Sequence, residues 1–177
     1  GLGVVGNAVA NVLHPHHQLV HVDPKIGPLT VKDAAQIDAV IVCVPTPQAA
    51  DGKCDSSFVM QVLGTVEEKV PVLVKSTVSL QAWDQLSANF RRHSLTFSPE
   101  FLTQNNAVED FATSREMYFG GTPEATQFWV NDVFAVAFPN CTFVHMTVAE
   151  AVLIKYFRNS YLASKVVWFN EAKDISD

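Results

Sequence analysis

The sequence predicts an α/β fold: a parallel sheet with helices on both faces, followed by one long C-terminal helix. Three observations carry the prediction. Short apolar runs alternate with helical patterns along most of the 177 residues, the signature of βαβ units. Asp38-Ala39-Val40-Ile41-Val42-Cys43-Val44 is nearly continuous in apolar residues, as a strand buried on both faces should be. The chain also opens on Gly1-Leu2-Gly3-Val4-Val5-Gly6, a G-x-G-x-x-G with helix-compatible residues after it.

Glycines at those places permit a tight turn, close approach of a pyrophosphate to bare backbone, and close helix–strand packing. The N–H groups and dipole of the following helix favour anions. Asp23, ending Gln18-Leu19-Val20-His21-Val22, stands where such a fingerprint places an acid for ribose hydroxyls. Residues 1–146 are therefore expected to form a Rossmann-type dinucleotide-binding domain. The turn needs a strand before it and the chain begins on the first glycine, so that strand is expected to be missing.

Strands are expected at 18–23, 38–44, 71–75, 94–97, 116–119 and 142–145, and helices at 6–13, 57–69, 79–90 and 122–135. Pro15, Pro45, Pro47, Pro71, Pro99 and Pro123 all fall at element edges, where a missing N–H costs least. Thr147-Val148-Ala149-Glu150 is a capping box that opens a helix running without Gly or Pro to about Ile175. Residues 147–177 form this second unit. Its aromatic and aliphatic residues exceed what one face buries on a small domain, so a homodimer through the helix is expected.

Composition narrows the function classes. Hydrophobic residues make up 48% and charged residues 17%, far from a disordered chain. A net charge of −6 leaves no basic footprint for nucleic acid or an anionic membrane, and no apolar run spans a bilayer. Three cysteines without C-x-x-C spacing point to a reducing, cytoplasmic setting and against a disulfide framework. His14, His16 and His17 end a helix, where histidine complements the dipole; a metal site is the weaker reading, and no metal is expected.

Ligands of open α/β sheets bind beyond the carboxyl ends of the strands. Val44-Pro45-Thr46-Pro47, Lys75-Ser76-Thr77-Val78 and Ser98-Pro99-Glu100-Phe101-Leu102 all fall at such ends. Each alone is ordinary turn chemistry; three in succession point to one site. Glu100 stands in a partly apolar setting suited to a general base, or it is a solvated loop acid. Lys155 and Asn159, at i and i+4, share one helix face and could cradle an oxyanion, unless that face is simply solvated. None of Cys43, Cys54 and Cys141 is set up as an activated nucleophile.

Taken in order, GLGVVG, Asp23, VPTP, KSTV, SPEFL with AVED, and AEAVLIKYFRNSYLASKVVWFNE resemble the UDP-glucose/GDP-mannose dehydrogenase family over nearly the whole chain. The resemblance implies NAD-dependent oxidation of a nucleotide sugar, UDP-glucose-like, at its 6-hydroxymethyl group to the uronate. In that chemistry a cysteine captures the aldehyde and water hydrolyses the resulting thioester. It implies catalytic roles for Thr77, Glu100, Lys155 and Asn159: Glu100 as the base on the hydrolytic water, Thr77 holding that water, Lys155 and Asn159 on developing oxyanions. Gly1, Leu2, Gly3, Val4, Val5, Gly6, Asp23, Pro45, Thr46, Ser76, Thr77 and Gln104 would bind NAD, with Asp23 disfavouring a 2′-phosphate. Glu100, Phe101, Leu102, Lys155 and Asn159 would meet the substrate.

This chain departs from the family pattern in three places. Residues 24–37 are a short link to the VPTP strand, Gln104 replaces a common acid, and the cysteine segment and uridine-binding domain are absent. The chain is thus expected to be truncated at both ends and inactive alone. Two other readings stand beside this one: a two-electron β-hydroxyacid dehydrogenase, and a non-catalytic NAD-binding or assembly module.

Overall fold

A computed structural model describes residues 1–27 and 36–176. Its order is α1 (Val4–Leu13), β1 (Val40–Val42), α2 (Ser57–Leu63), β2 (Val72–Val74), α3 (Leu80–Asn89), β3 (Leu95–Phe97), α4 (Ala107–Ala112), β4 (Glu116–Gly120), α5 (Pro123–Phe128), β5 (Thr142–Met146) and α6 (Val148–Ser176). The five strands form one sheet in sequence order. Strands β1, β2 and β3 are parallel, with Val40, Ile41 and Val42 opposite Val72, Leu73 and Val74. Strand β4 meets β3 antiparallel at Gly120 and Phe97, and β5 lies parallel to β4. The sheet is therefore mostly parallel, with one reversal that the expected all-parallel sheet lacked.

Each face of the sheet carries its own core. Val72 and Val74 point to one side with Val42, Leu63, Leu86 and Phe97, and Ala151 and Val152 of α6 close that layer. Leu73 points to the other, with Leu13 of α1, Phe111, Phe119, Trp129 and Phe134. A strand buried on both faces reads as a continuous apolar run, which is why β2 was legible.

Local chemistry starts the helices where the sequence places them. Ser79 Oγ accepts from Ala82 N at 3.1 Å. Thr122 Oγ1 caps α5 with Pro123 in its first turn. Thr147 and Glu150 close the capping box of α6: Glu150 Oε2 accepts from Thr147 N at 2.8 Å, and Thr147 Oγ1 from Glu150 N at 3.2 Å. Gly120 seats that helix, since a Cβ there would stand 2.8 Å from Val148 Cα. With 29 residues, α6 runs about 44 Å and buries only Ala151, Val152 and Lys155. No helix among the described residues is long and apolar enough to cross a membrane.

Several expectations need correction. Residues 18–23 form no strand; they have no ladder partner among the described residues. A groove of about 1230 Å³, lined by Leu19, Val20, Val22, Val40 and Val42 among others, separates them from β1. The expected helix at 57–69 stops at Leu63, and that at 122–135 changes after Phe128 into a π-helical turn, Trp129–Phe134. The short helix α4 was not anticipated. Within the 24–37 link, residues 28–35 lie outside the described residues.

Candidate active site

The glycine turn is built as its residue types demand. Asn7 N donates to Gly3 O at 2.9 Å, opening α1 on the turn. A Cβ on Gly6 would stand 1.9 Å from Gly1 O, so only glycine closes this turn. At Gly3 the reverse holds: a Cβ would meet nothing within 4 Å, and bare backbone faces open space at the N-terminus of α1. That open backbone beside unpaired helix N–H groups fits a pyrophosphate. Leu2, Val4 and Val5 complete the turn, with Val4 exposed and the other two half-buried.

Asp23 is tied to the same turn. Its Oδ2 accepts from Leu2 N at 2.6 Å and its Oδ1 from Lys25 N at 2.8 Å. These backbone donors, Leu2 first, hold the carboxyl below its ordinary range. A lowered carboxyl pKa stabilises the fold fully above the unfolded value of about 3.9 and loses that contribution as pH falls through the folded value. If the acid binds the ribose as the sequence leads one to expect, Asp23→Ala weakens NAD binding roughly tenfold or more and narrows the discrimination against NADP, because the anchor of the turn disappears with the ribose acceptor. Calorimetry with the two nucleotides checks this, and equal NAD affinity in both proteins would remove Asp23 from the site.

The ends of β1 and β2 are laced together. Ser76 Oγ accepts from Val44 N at 2.9 Å and donates to Val44 O at 2.8 Å. Thr46 Oγ1 donates to Thr77 O at 2.7 Å. These bonds fix Pro45–Thr46 beside Ser76–Thr77. The glycine turn touches the same place, since Cys43 O would lie 2.8 Å from a Cβ on Gly1. Burial pushes the Cys43 thiol up, which makes it a poor nucleophile.

Beyond β3 the chain turns through Ser98-Pro99-Glu100. Here Lys155, only 5% exposed, reaches down from α6. Its Nζ donates to Glu100 Oε1 at 2.7 Å and also to the Glu100 carbonyl. Glu100 Oε2 accepts from Leu102 N at 2.9 Å, so both carboxylate oxygens are occupied. Phe101 packs edge-on to Tyr118 and carries two cations on its face, Lys155 at 5.4 Å and Arg158 at 4.4 Å.

The structure thus joins Glu100, Phe101, Leu102 and Lys155 in one contact set, and Pro45, Thr46, Ser76 and Thr77 in another. Asn159 lies one turn beyond Lys155 on α6, exposed, and Gln104 is exposed in the turn before α4. Among the described residues no hydrogen bond joins either to the Glu100 set. His17 Nε2 lies 2.9 Å from Val133 O, which gives one member of the histidine cluster a packing role.

Sequence reasoning passed over Lys75. Its side chain is buried, with Nζ donating to Ser98 O at 3.3 Å and to Ser98 Oγ at 3.2 Å, over the rings of Phe111 and Phe134 at 5.5 and 6.0 Å. Burial pushes its pKa down to about 8; Cys43 and Glu100 oppose that shift and Lys155 adds to it. A lysine ending an apolar strand ordinarily reads as the first solvent-facing residue, so only its place in the KSTV segment hinted at a site.

A model of the UDP-glucose/GDP-mannose dehydrogenase family, NAD binding domain, matches residues 25–137. The UDP-glucose 6-dehydrogenase of Rickettsia typhi is 27% identical over 154 residues, which cover 82% of this chain and 36% of that protein. The chain spans about a third of the length of the curated relatives it matches. Among solved structures, a UDP-glucose dehydrogenase from Pyrobaculum islandicum superposes with a TM-score of 0.65 at 28% identity, over 76% of this chain and 34% of that one. A GDP-mannose dehydrogenase from Pseudomonas aeruginosa shares the fold with a TM-score of 0.75 at 21% identity, over 97% of this chain and 50% of that one. The match covers more than half of the chain, which belongs to the UDP-glucose/GDP-mannose dehydrogenase family through its NAD-binding domain.

Proposed function

We propose that this chain supplies the NAD-binding half, and part of the catalytic half, of a dehydrogenase that oxidises the 6-hydroxymethyl group of a UDP-glucose-like nucleotide sugar to the uronate. The observation that carries the reading is the buried Glu100–Lys155 pair beyond the end of β3, the strand beside β2, whose own end is laced to that of β1.

Gly1–Gly6 holds the pyrophosphate, Asp23 the ribose hydroxyls, and Pro45, Thr46, Ser76, Thr77 and Gln104 line the remainder of the cofactor. Bound NAD supplies the hydride acceptor, once for each of two oxidations. An ammonium has three N–H donors, and Lys155 spends two on Glu100, which leaves the third for a substrate oxygen. Asn159 offers its amide from the same helix face, so the two stabilise the alkoxide and the oxyanions that follow. Phe101 and Leu102 border the sugar. Glu100 takes a proton from the water that cleaves the thioester, with Thr77 orienting that water. The thiol of that thioester belongs to the part of the dehydrogenase outside this domain. The balance is one sugar alcohol, two NAD and one water giving the carboxylate, two NADH and three protons.

The division of labour follows the fold: residues 1–146 bind NAD and 147–177 begin a central helix. Beyond Lys155 that helix exposes Phe157, Tyr161, Leu162, Val166, Trp168 and Phe169, Phe157 to 69%. A second copy covers this stripe in a two-fold homodimer, and sedimentation at twice 19.4 kDa checks it. The reaction is tested by counting NADH released per UDP-glucose consumed in a full-length, cysteine-bearing form. Two are expected; one would favour a two-electron hydroxyacid dehydrogenase, and none a binding module.

A further inference from the structure

We propose that Lys75 is a positioning residue: its ammonium fastens the Ser98–Glu100 turn and thereby holds the Glu100 carboxylate against Lys155 and Leu102. This rests on the reading of Glu100 as the base. A lysine 3% exposed, bonded to one neutral carbonyl and one hydroxyl, is a poor stabilising device, because desolvating a charge is costly and no carboxylate among the described residues pairs with it. Phe111 and Phe134 would accept a thioether in the same space. What the ammonium does is geometric. It leaves β2 one residue before Ser76 and two before Thr77, and it ends on the residue two before Glu100. The backbone bond from Ser98 N to Val74 O, at 3.0 Å, already joins β3 to β2, and this side chain extends that tie past the end of the ladder, toward Glu100.

Three titratable groups act on it: Cys43 from the end of β1, Glu100 from the turn after β3, and Lys155 from α6. Cys43 and Glu100 favour its charged form and Lys155 opposes it. As pH rises through about 8, the ammonium gives up its charge and its grip on Ser98 weakens.

The readout is hydrogen exchange at the Leu102 amide, which donates to Glu100 Oε2, against the Val40 and Val72 amides of the sheet ladder. In Lys75→Met, Leu102 is expected to exchange roughly tenfold faster or more while the ladder amides stay as they were; Lys75→Arg should restore part of the protection. In the unaltered chain, Leu102 exchange should climb more steeply than that of Val72 between pH 7 and 9, and this arm holds even if Lys75→Met does not fold. Unchanged Leu102 exchange in a folded Lys75→Met chain, equal loosening of the ladder, or parallel pH profiles would overturn the proposal. Should the catalytic reading fail instead, these exchange effects persist while Glu100→Gln leaves turnover intact.

Discussion

Lys155→Ala is expected to destabilise the fold by about 3–5 kcal/mol, because it strands a carboxylate whose side chain is 13% exposed. Glu100 then keeps only the Leu102 amide as a partner. The converse change, Glu100→Ala, is milder, since Lys155 retains the Glu100 carbonyl and the face of Phe101. Joining Glu100→Leu with Lys155→Met should return most of the lost stability, because an apolar pair of similar volume avoids the desolvation that a buried ion pair carries. Urea unfolding of the unaltered chain, Glu100→Leu, Lys155→Met and the joint variant measures this coupling. Single effects that add to within about 0.5 kcal/mol would mean that the two groups are independent and that the pair is no unit. A pair that apolar residues replace without loss of stability is held for its chemistry, not for the fold.

The second large effect lies at the glycine turn and separates two glycines that look alike in sequence. Gly6→Ala puts a methyl into Gly1 O, so the turn must move, with about 1–3 kcal/mol lost to overpacking and NAD binding lost with it. Gly3→Ala meets no protein atom and should leave the melting temperature nearly unchanged. In the proposed cofactor site its methyl stands where the pyrophosphate would approach the backbone, so NAD affinity should fall roughly a hundredfold, or about 2.7 kcal/mol. Thermal melts with calorimetry distinguish the two. Normal NAD binding by Gly3→Ala would place the phosphates elsewhere.

What the sequence made legible follows the physics of each element. Strand β2 is buried on both faces and stood out as an apolar run, as did β1, although its Val40 and Ile41 are only half-buried; α6 announced itself through Thr147 and Glu150. Residues 18–23 share that composition but pair with no strand among the described residues, and apolar content cannot reveal whether a run finds a ladder partner. The reversal at β4 was hidden because strand direction depends on connections in space, not on composition. The six residues of α4 are too few to show a helical period. At the site, Glu100 and Lys155 were named from their motifs 55 residues apart, yet their contact needed the seating of α6 on Gly120. The burial of Lys75 was not legible because it depends on the folded positions of Ser98, Phe111 and Phe134, all distant in sequence.

The central claim, that Glu100 serves hydrolysis and not hydride transfer, is tested most directly by mass spectrometry of Glu100→Gln in a full-length, cysteine-bearing form incubated with UDP-glucose and NAD. The account predicts a covalent sugar-nucleotide thioester accumulating on the protein, with two NADH formed per trapped sugar and little free uronate. Uronate released at the unaltered rate, with no adduct, would contradict it.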